Sequence, residues 1–174
     1  ISPCKHYEID RLDFSEYSAV VISDYNKGFL TDDIILRILD LSKGIPKFID
    51  SKRRDLRIFD ECLVKINEIE RDSATYLPQD SHLIVTMGKD GALWNGNVYK
   101  AESTDVFDVC GAGDSFLAGL VTGYLLTGDV SQSIRLANRA GAISVRKFGT
   151  YAVSKDDLIT FENNIPPDDR IFSK

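Results

Sequence analysis

The strongest constraint on the fold is a recurrence of short apolar runs, each closed by a polar residue and followed by a helical pattern. SAVVIS at 18–23, KFID at 47–50, LVKI at 63–66 and LIVT at 83–86 are too short to be ordinary helices. All four read as strands, and the continuous apolar run at 18–23 is that of a strand buried on both faces. Helix signals lie between them. Thr31 precedes Asp32 and Asp33, a cap followed by two carboxylates that complement the positive end of a helix dipole. Ile34, Ile35, Ile38, Leu39 and Leu41 mark the buried side, and Gly44 closes that helix. Residues 56–59 read as part of a short helix, and Asn67 opens another that reaches about Tyr76. Strands alternating with helices predict an α/β protein with a mostly parallel sheet.

The pattern changes after the fourth strand. Residues 92–94 and 98–100 are strand-like and flank Asn95-Gly96-Asn97, a hairpin signal. Long helices follow at about 112–127 and 131–147. A last one spans 154–162, where Ser154 and Asp157 have the spacing of a capping box. The expectation is a single domain over 1–174, with 1–17 and 163–174 peripheral and NNIPPDDR a polar, proline-broken tail.

Composition narrows the function classes. A chain of 174 residues that is 43% hydrophobic and 28% charged can bury a sizeable core. A net charge of −6 argues against a surface that coats nucleic acid, yet a small phosphate ligand needs only a local pocket. Cys4, Cys62 and Cys110 are odd in number and widely spaced, without a CxxC pair. Neither a disulfide framework nor a zinc site is expected, and a reducing, cytoplasmic setting is. No apolar run approaches the length of a membrane span and no signal peptide is visible, so no membrane partner is expected.

In an open α/β sheet, ligands collect beyond the carboxyl ends of the strands. The polar residues there are Asp24 and Lys27, then Asp50 and Lys52, then Asn67 and Glu70. Gly88 and Gly91 follow in TMGKDG, and Asp108 and Asp114 in DVCGAGD. The last stretch is the most specific. Gly111 and Gly113 allow close approach to a ligand and dihedrals closed to other residues. The N–H groups of Ala112, Gly113 and Asp114 would face outward at a helix start, a site for a phosphate oxygen. A carboxylate beside such an anion hole can accept a proton from a hydroxyl while the hole stabilises charge on a transferring phosphoryl group. The same residues also fit a packing turn with Asp114 as a simple N-cap. A dinucleotide-binding turn does not fit, since no third glycine stands at the required spacing and no acidic strand end follows.

DVCGAGDSFLAGL resembles the signature of the ribokinase-like (PfkB) carbohydrate kinases, D-T-x-G-A-G-D-x-F. LVKINEIE is similar to that family's N-x-x-E segment, TMGKDGALW to its T-x-G-x-x-G strand and turn, and LANRAGAISV to its nucleotide-side helix. The resemblance covers about 20–158 in the family's order. It implies a ribokinase-like three-layer sandwich with helices on both faces of the sheet, and transfer of phosphate from ATP to a sugar. Asp114 would be the catalytic base and Gly111, Ala112 and Gly113 the anion hole. Asn67 and Glu70 would organise Mg²⁺ through water, although the pair is equally placed for a capping box. Thr86, Gly88 and Gly91 would border the nucleotide. Asn138 would lie near the adenine, or serve as an ordinary polar helix residue. Asp108 matches a position that binds a monovalent cation such as K⁺ in some relatives.

ISDYNKG resembles the SDYxKG stretch of the heptose 7-phosphate kinases, and FIDSKRRDLRIF their D-x-K segment. Lys27 and Lys52 would then bring positive charge to phosphates, with Asp24 holding them or the metal; the alternative is a salt-bridged rim. The family's amino-terminal sugar-binding aspartate, paired-glycine segment and β-sheet lid, which often mediates homodimers, have no counterpart here. Cys110 stands where threonine is frequent. The expectation is therefore the nucleotide and phosphoryl-transfer half of a sugar kinase. The competing expectation is a nucleotide-binding or regulatory domain that keeps the fold without turnover.

Overall fold

A computed structural model of the chain describes residues 9–102 and 104–163. Cys4 and the expected polar tail from 164 onward lie outside the described residues. The chain divides into two compact units, Ile1–Val85 and Thr86–Lys174.

The first unit contains β1 (Val20–Asp24), α1 (Asp32–Leu41), β2 (Lys47–Ser51), β3 (Leu63–Asn67), α2 (Glu68–Ser73) and all but the last residue of β4 (Leu83–Thr86). β1 pairs with β2 and β2 with β3, both in parallel. Ile22, Phe48, Ile49, Val64, Ile66 and Ile84 form the buried apolar centre. The register sets Asp24 beside Ser51, and Asp50 beside Lys65. Because neighbouring residues on a strand point to opposite faces, these two polar pairs lie on opposite sides of the sheet. Thr31 caps α1 as expected, its side chain accepting from the Ile34 N–H.

Two expectations are corrected in this unit. β1 is not buried on both faces: Val21 is 49% exposed and alternates with buried Val20 and Ile22. It occupies the outer position in the strand order, where one face can remain in water. α2 stops at Ser73 rather than near Tyr76. Ala74 is extended, and the N–H groups of Thr75 and Tyr76 turn to the Arg54 carbonyl, which draws Tyr76 into a parallel bridge with Asp55.

The second unit opens with the antiparallel pair β5 (Ala92–Trp94) and β6 (Asn97–Tyr99). Asn95 and Gly96 both have positive φ, 48° and 74°, the requirement of a two-residue type I′ turn. α3 (Ala112–Thr127), α4 (Val130–Ser144) and α5 (Lys155–Glu162) follow, with Ser154 and Asp157 closing the expected capping box. α4 ends before Lys147, because the chain tightens there into Arg146 N–H to Ile143 and Lys147 N–H to Ser144 bonds.

α3 and α4 pack closely because α3 presents glycine. A Cβ on Gly119 would stand 2.8 Å from the Ala137 Cα and 2.9 Å from the Ala140 Cβ; on Gly123 it would meet the Ser133 Cα at 2.7 Å. Backbone atoms cannot rotate out of the way. Gly119→Ala is expected to lower the midpoint of denaturant unfolding, since alanine's helix advantage of about 1 kcal/mol offsets only part of an overpacking cost of about 1–3 kcal/mol. An unchanged or higher midpoint would show that the two helices can separate freely.

Candidate functional site

The start of α3 is built around Gly111. Its φ of +76° is left-handed, and a Cβ there would press on the Thr150 Cγ2 at 3.2 Å, so glycine is needed twice over. Of the three donors expected to face outward, Ala112 does not: its N–H bonds to the Val109 carbonyl at 3.2 Å. Ser115 N–H makes the first helical bond, to the Gly111 carbonyl. The N–H groups of Gly113 and Asp114 are thereby left as first-turn donors without an intrahelical acceptor.

Asp114 is the third residue of α3, and the capping position belongs to Gly111. Its exposed carboxylate makes no hydrogen bond or ion pair among the described residues. The N-cap alternative for Asp114 therefore fails. The carboxylate lines a cleft of about 400 Å³ together with Gly111, Ser115, Thr150 and Tyr151.

A clasp holds the loop that feeds this turn. The Asp108 Oδ1 accepts from Cys110 N–H and its Oδ2 from Gly149 N–H, each at 2.9 Å. The N–H groups of Phe107 and Asp108 both bond to the Val145 carbonyl at the end of α4, and the rings of Phe107 and Phe148 meet at 5.7 Å. Cys110 is an exposed free thiol whose Sγ lies 3.7 Å from the Thr150 Oγ1. Cys62, also free, is buried, which pushes its thiol up to about 11.

The remaining nucleotide-side candidates of this unit have structural duties of their own. Gly91 has φ +96°, and a Cβ would fall 2.0 Å from the Tyr99 carbonyl oxygen, so the turn and β6 touch through bare backbone. Gly88, with φ +56°, faces open space. Thr86 ends β4, half-buried. Asn138 is buried, and its Nδ2 donates to the carbonyls of Tyr99 at 2.8 Å and Lys100 at 3.2 Å, tying α4 to the hairpin.

In the first unit the carboxyl ends of the parallel strands carry two charged groups. On one side Asp24, 3% exposed, accepts from the Arg53 Nε and from the Asn26 N–H. Arg53 also bonds Asp32 and the Leu30 carbonyl, so it pins the loop between β1 and α1. Lys27 is exposed and has no side-chain partner among the described residues. On the other side the Lys65 Nζ donates to the Asp50 Oδ2 at 2.7 Å, both side chains buried. Lys52 Nζ donates to the Glu70 Oε1 and stands 3.6 Å from the Asp50 Oδ1. Burial alone would lower the Lys52 ammonium, but the bond to Glu70 and the charge of Asp50 raise it above the usual lysine range. Asn67 and Glu70 form a reciprocal capping box: Glu70 N–H to Asn67 Oδ1 at 2.8 Å, and Asn67 N–H to Glu70 Oε2 at 2.9 Å.

Residues 54–157, more than half of the chain, match the pfkB family carbohydrate kinases. The chain belongs to that family. Among its relatives, the bifunctional protein HldE of Gluconobacter oxydans (strain 621H) is 32% identical in an alignment that covers 80% of this chain and 34% of that protein. The bifunctional protein HldE of Azorhizobium caulinodans is 34% identical with the same coverage. The chain thus spans about a third of the length of these curated relatives. Its fold is similar to a Burkholderia thailandensis nucleoside kinase solved with ADP-inosine, with a TM-score of 0.69 at 21% identity over 90% of this chain and 56% of that one. A ribokinase from Thermotoga maritima matches with a TM-score of 0.64 at 15% identity, over 90% of this chain and 61% of that one. These likenesses establish a ribokinase-like α/β fold.

Arg53, Lys65 and Thr150 escaped the reading of the sequence. Lys65 left one trace, a lysine inside an otherwise apolar strand. Arg53 was hidden in the basic run SKRRD, and Thr150 had no signal, because it reaches Gly111 only through folding.

The Asp108 clasp generates a pH prediction. Its two N–H donors hold the carboxyl below the usual carboxylate range. A depressed folded-state value stabilises the fold above the unfolded value of about 4 and loses that contribution as pH falls through the folded value. Asp108→Asn is therefore expected to lower the melting temperature at neutral pH, with the difference from wild type closing as the acid protonates Asp108. A difference independent of pH would show that the clasp does not depend on the charge.

Proposed function

We propose that this chain is the nucleotide-binding and phosphoryl-transfer part of an ATP-dependent carbohydrate kinase, with Asp114 as general base. The observation that carries the reading is the unpartnered Asp114 carboxylate, placed beside the free first-turn N–H groups of α3 and opening on a cleft. Asp114 would accept the proton of the sugar hydroxyl as that oxygen bonds the γ-phosphorus and the bond to the β-phosphate oxygen breaks, releasing ADP. The Gly113 and Asp114 N–H groups, in the Gly111-Ala112-Gly113 turn, would stabilise negative charge on the moving phosphoryl group, aided by the helix dipole. Gly111 supplies the left-handed turn that leads into these donors.

Thr86, Gly88 and Gly91 would border the nucleotide, and Asn138 would act there through the hairpin strand that it holds. Mg²⁺ characteristically keeps several waters and takes one or two carboxylates plus phosphate oxygens. Glu70 with Asn67 suits that mode, and among the described residues no group of three or more His, Cys, Asp or Glu side chains gathers as a closed metal cage. The bound ion would neutralise phosphate charge. Asp108 stands at the position that would take a monovalent cation such as K⁺, and its two N–H bonds also position the turn.

For the acceptor, the ISDYNKG and FIDSKRRD stretches support a sugar phosphate of the heptose 7-phosphate type. Exposed Lys27 and Lys52 would meet its phosphate or those of ATP, while Asp24 and Arg53 keep the intervening loop in place. No helix among the described residues is long and apolar enough to cross a membrane.

In the full-length protein, Asp114→Asn is expected to lower kcat by at least about a hundredfold, the lower range for a general base, with the KM for ATP little changed. Near-normal turnover in a folded variant would refute the assignment. ATP binding without turnover in wild type, against a range of sugars and sugar phosphates, would favour a regulatory nucleotide-binding role instead.

A further inference from the structure

The charged group at the ends of β2 and β3 contains a buried oxygen that no donor hydrogen-bonds. The Asp50 Oδ1 is buried and has no hydrogen-bond partner, in a residue only 7% exposed. Its sister oxygen is taken by Lys65, which register places directly beside it on β3 and which is 4% exposed. A buried carboxylate oxygen without a donor is costly, so its persistence calls for a reason. One ammonium stands within reach: Lys52 Nζ, 3.6 Å away, just beyond hydrogen-bonding distance. That ammonium is instead bonded to the Glu70 Oε1, while the Glu70 Oε2 is held by the Asn67 N–H. Each oxygen of the carboxylate that the proposed function gives to the hydrated metal thus already accepts one hydrogen bond, and the donor on the Oε1 is a cation. Turning the Glu70 Oε1 toward a cation's water shell would part it from the lysine, and the Asp50 Oδ1 is an acceptor without a donor within the lysine's reach.

We infer that Asp50 is a positioning residue that offers the Lys52 ammonium a second seat, so that Lys52 moves from Glu70 to the Asp50 Oδ1 when Glu70 turns to a hydrated divalent cation. Lys65 fixes the Asp50 carboxylate from the other side, so the receiving oxygen stays put while the lysine moves. The transfer exchanges one carboxylate for another and involves no proton. It also keeps the positive charge of Lys52 away from the cation at the moment the cation arrives. This inference rests on the reading of Glu70 as an organiser of Mg²⁺.

Two experiments on the full-length protein test it. The first is a crystal structure of the wild type with Mg²⁺ and a non-hydrolysable ATP analogue. The expected result is Lys52 Nζ within hydrogen-bonding distance of the Asp50 Oδ1, with the Glu70 Oε1 facing the metal's water shell. Lys52 still on Glu70, or moved onto a phosphate, would overturn the inference while leaving the role of Glu70 intact. A metal seated away from Glu70 would overturn both. The second is calorimetry of ATP binding with and without Mg²⁺, reading the ratio of the two affinities. Asp50→Asn is expected to reduce the enhancement by Mg²⁺ about tenfold, the lower range for a group that orients a metal-binding carboxylate. Adding Lys52→Met to Asp50→Asn is expected to restore the ratio, because no ammonium then competes for Glu70. A ratio unaltered by Asp50→Asn, or no recovery in the double variant, would overturn the inference. Should Asp50→Asn fail to fold by thermal melting, the wild-type crystal structure decides the matter alone.

Discussion

The close approach of α3 to α4 is the contact on which the second unit depends. Gly119 and Gly123 bring one helix backbone against Ala137 and Ser133 of the other, at distances no side chain would allow. α4 then acts as a spine. Its Asn138 grips the end of β6 in the β-hairpin, and the Val145 carbonyl beyond its end receives the chain that leads into the glycine turn. The N-terminus of α3 is therefore aimed by packing about two turns away from it. An anion hole needs that kind of support, because its donors act by standing still while charge moves past them.

The first unit solves a different problem, that of keeping charge at the buried ends of parallel strands. Adjacent strands place Asp50 and Lys65 shoulder to shoulder, and the pair satisfies one oxygen of the carboxylate while leaving the other bare. An apolar pair of similar volume could hold the strands together as well or better, since buried ion pairs seldom add net stability. Charge retained there points toward a use, and the neighbouring Lys52 and Glu70 are where that use would be felt. On the opposite face, Arg53 gathers Asp24, Asp32 and the Leu30 carbonyl, converting a charged loop into a fixed one.

Several residues marked as chemical turn out to have structural partners as well. Asn67 and Glu70 cap each other, Asn138 ties a strand, Gly91 admits a neighbouring backbone, and Asp108 fastens two loops. Asp114, like exposed Lys27, has no such partner among the described residues. It caps nothing, pairs with nothing among the described residues, and sits where the first-turn donors are free. A side chain without a structural partner, beside a cleft, is the feature that most separates a reactive group from a supporting one.

The element order and the type of each element were legible in the sequence, because strand and helix periodicities and caps are local properties. Thr31, Ser154 and the Asn95-Gly96 turn behave as their chemistry dictates within a few residues of chain. The glycine-rich turn and its carboxylate were legible for the same reason. What only tertiary structure decided are the partners across long separations. Thr150 presses on Gly111, Asn138 reaches Tyr99 across 39 positions, and Asp108 reaches Gly149 across 41. Lys52 bonds Glu70 while standing 3.6 Å from the Asp50 Oδ1. Such choices depend on distances set by packing, which a linear pattern of residue types does not contain.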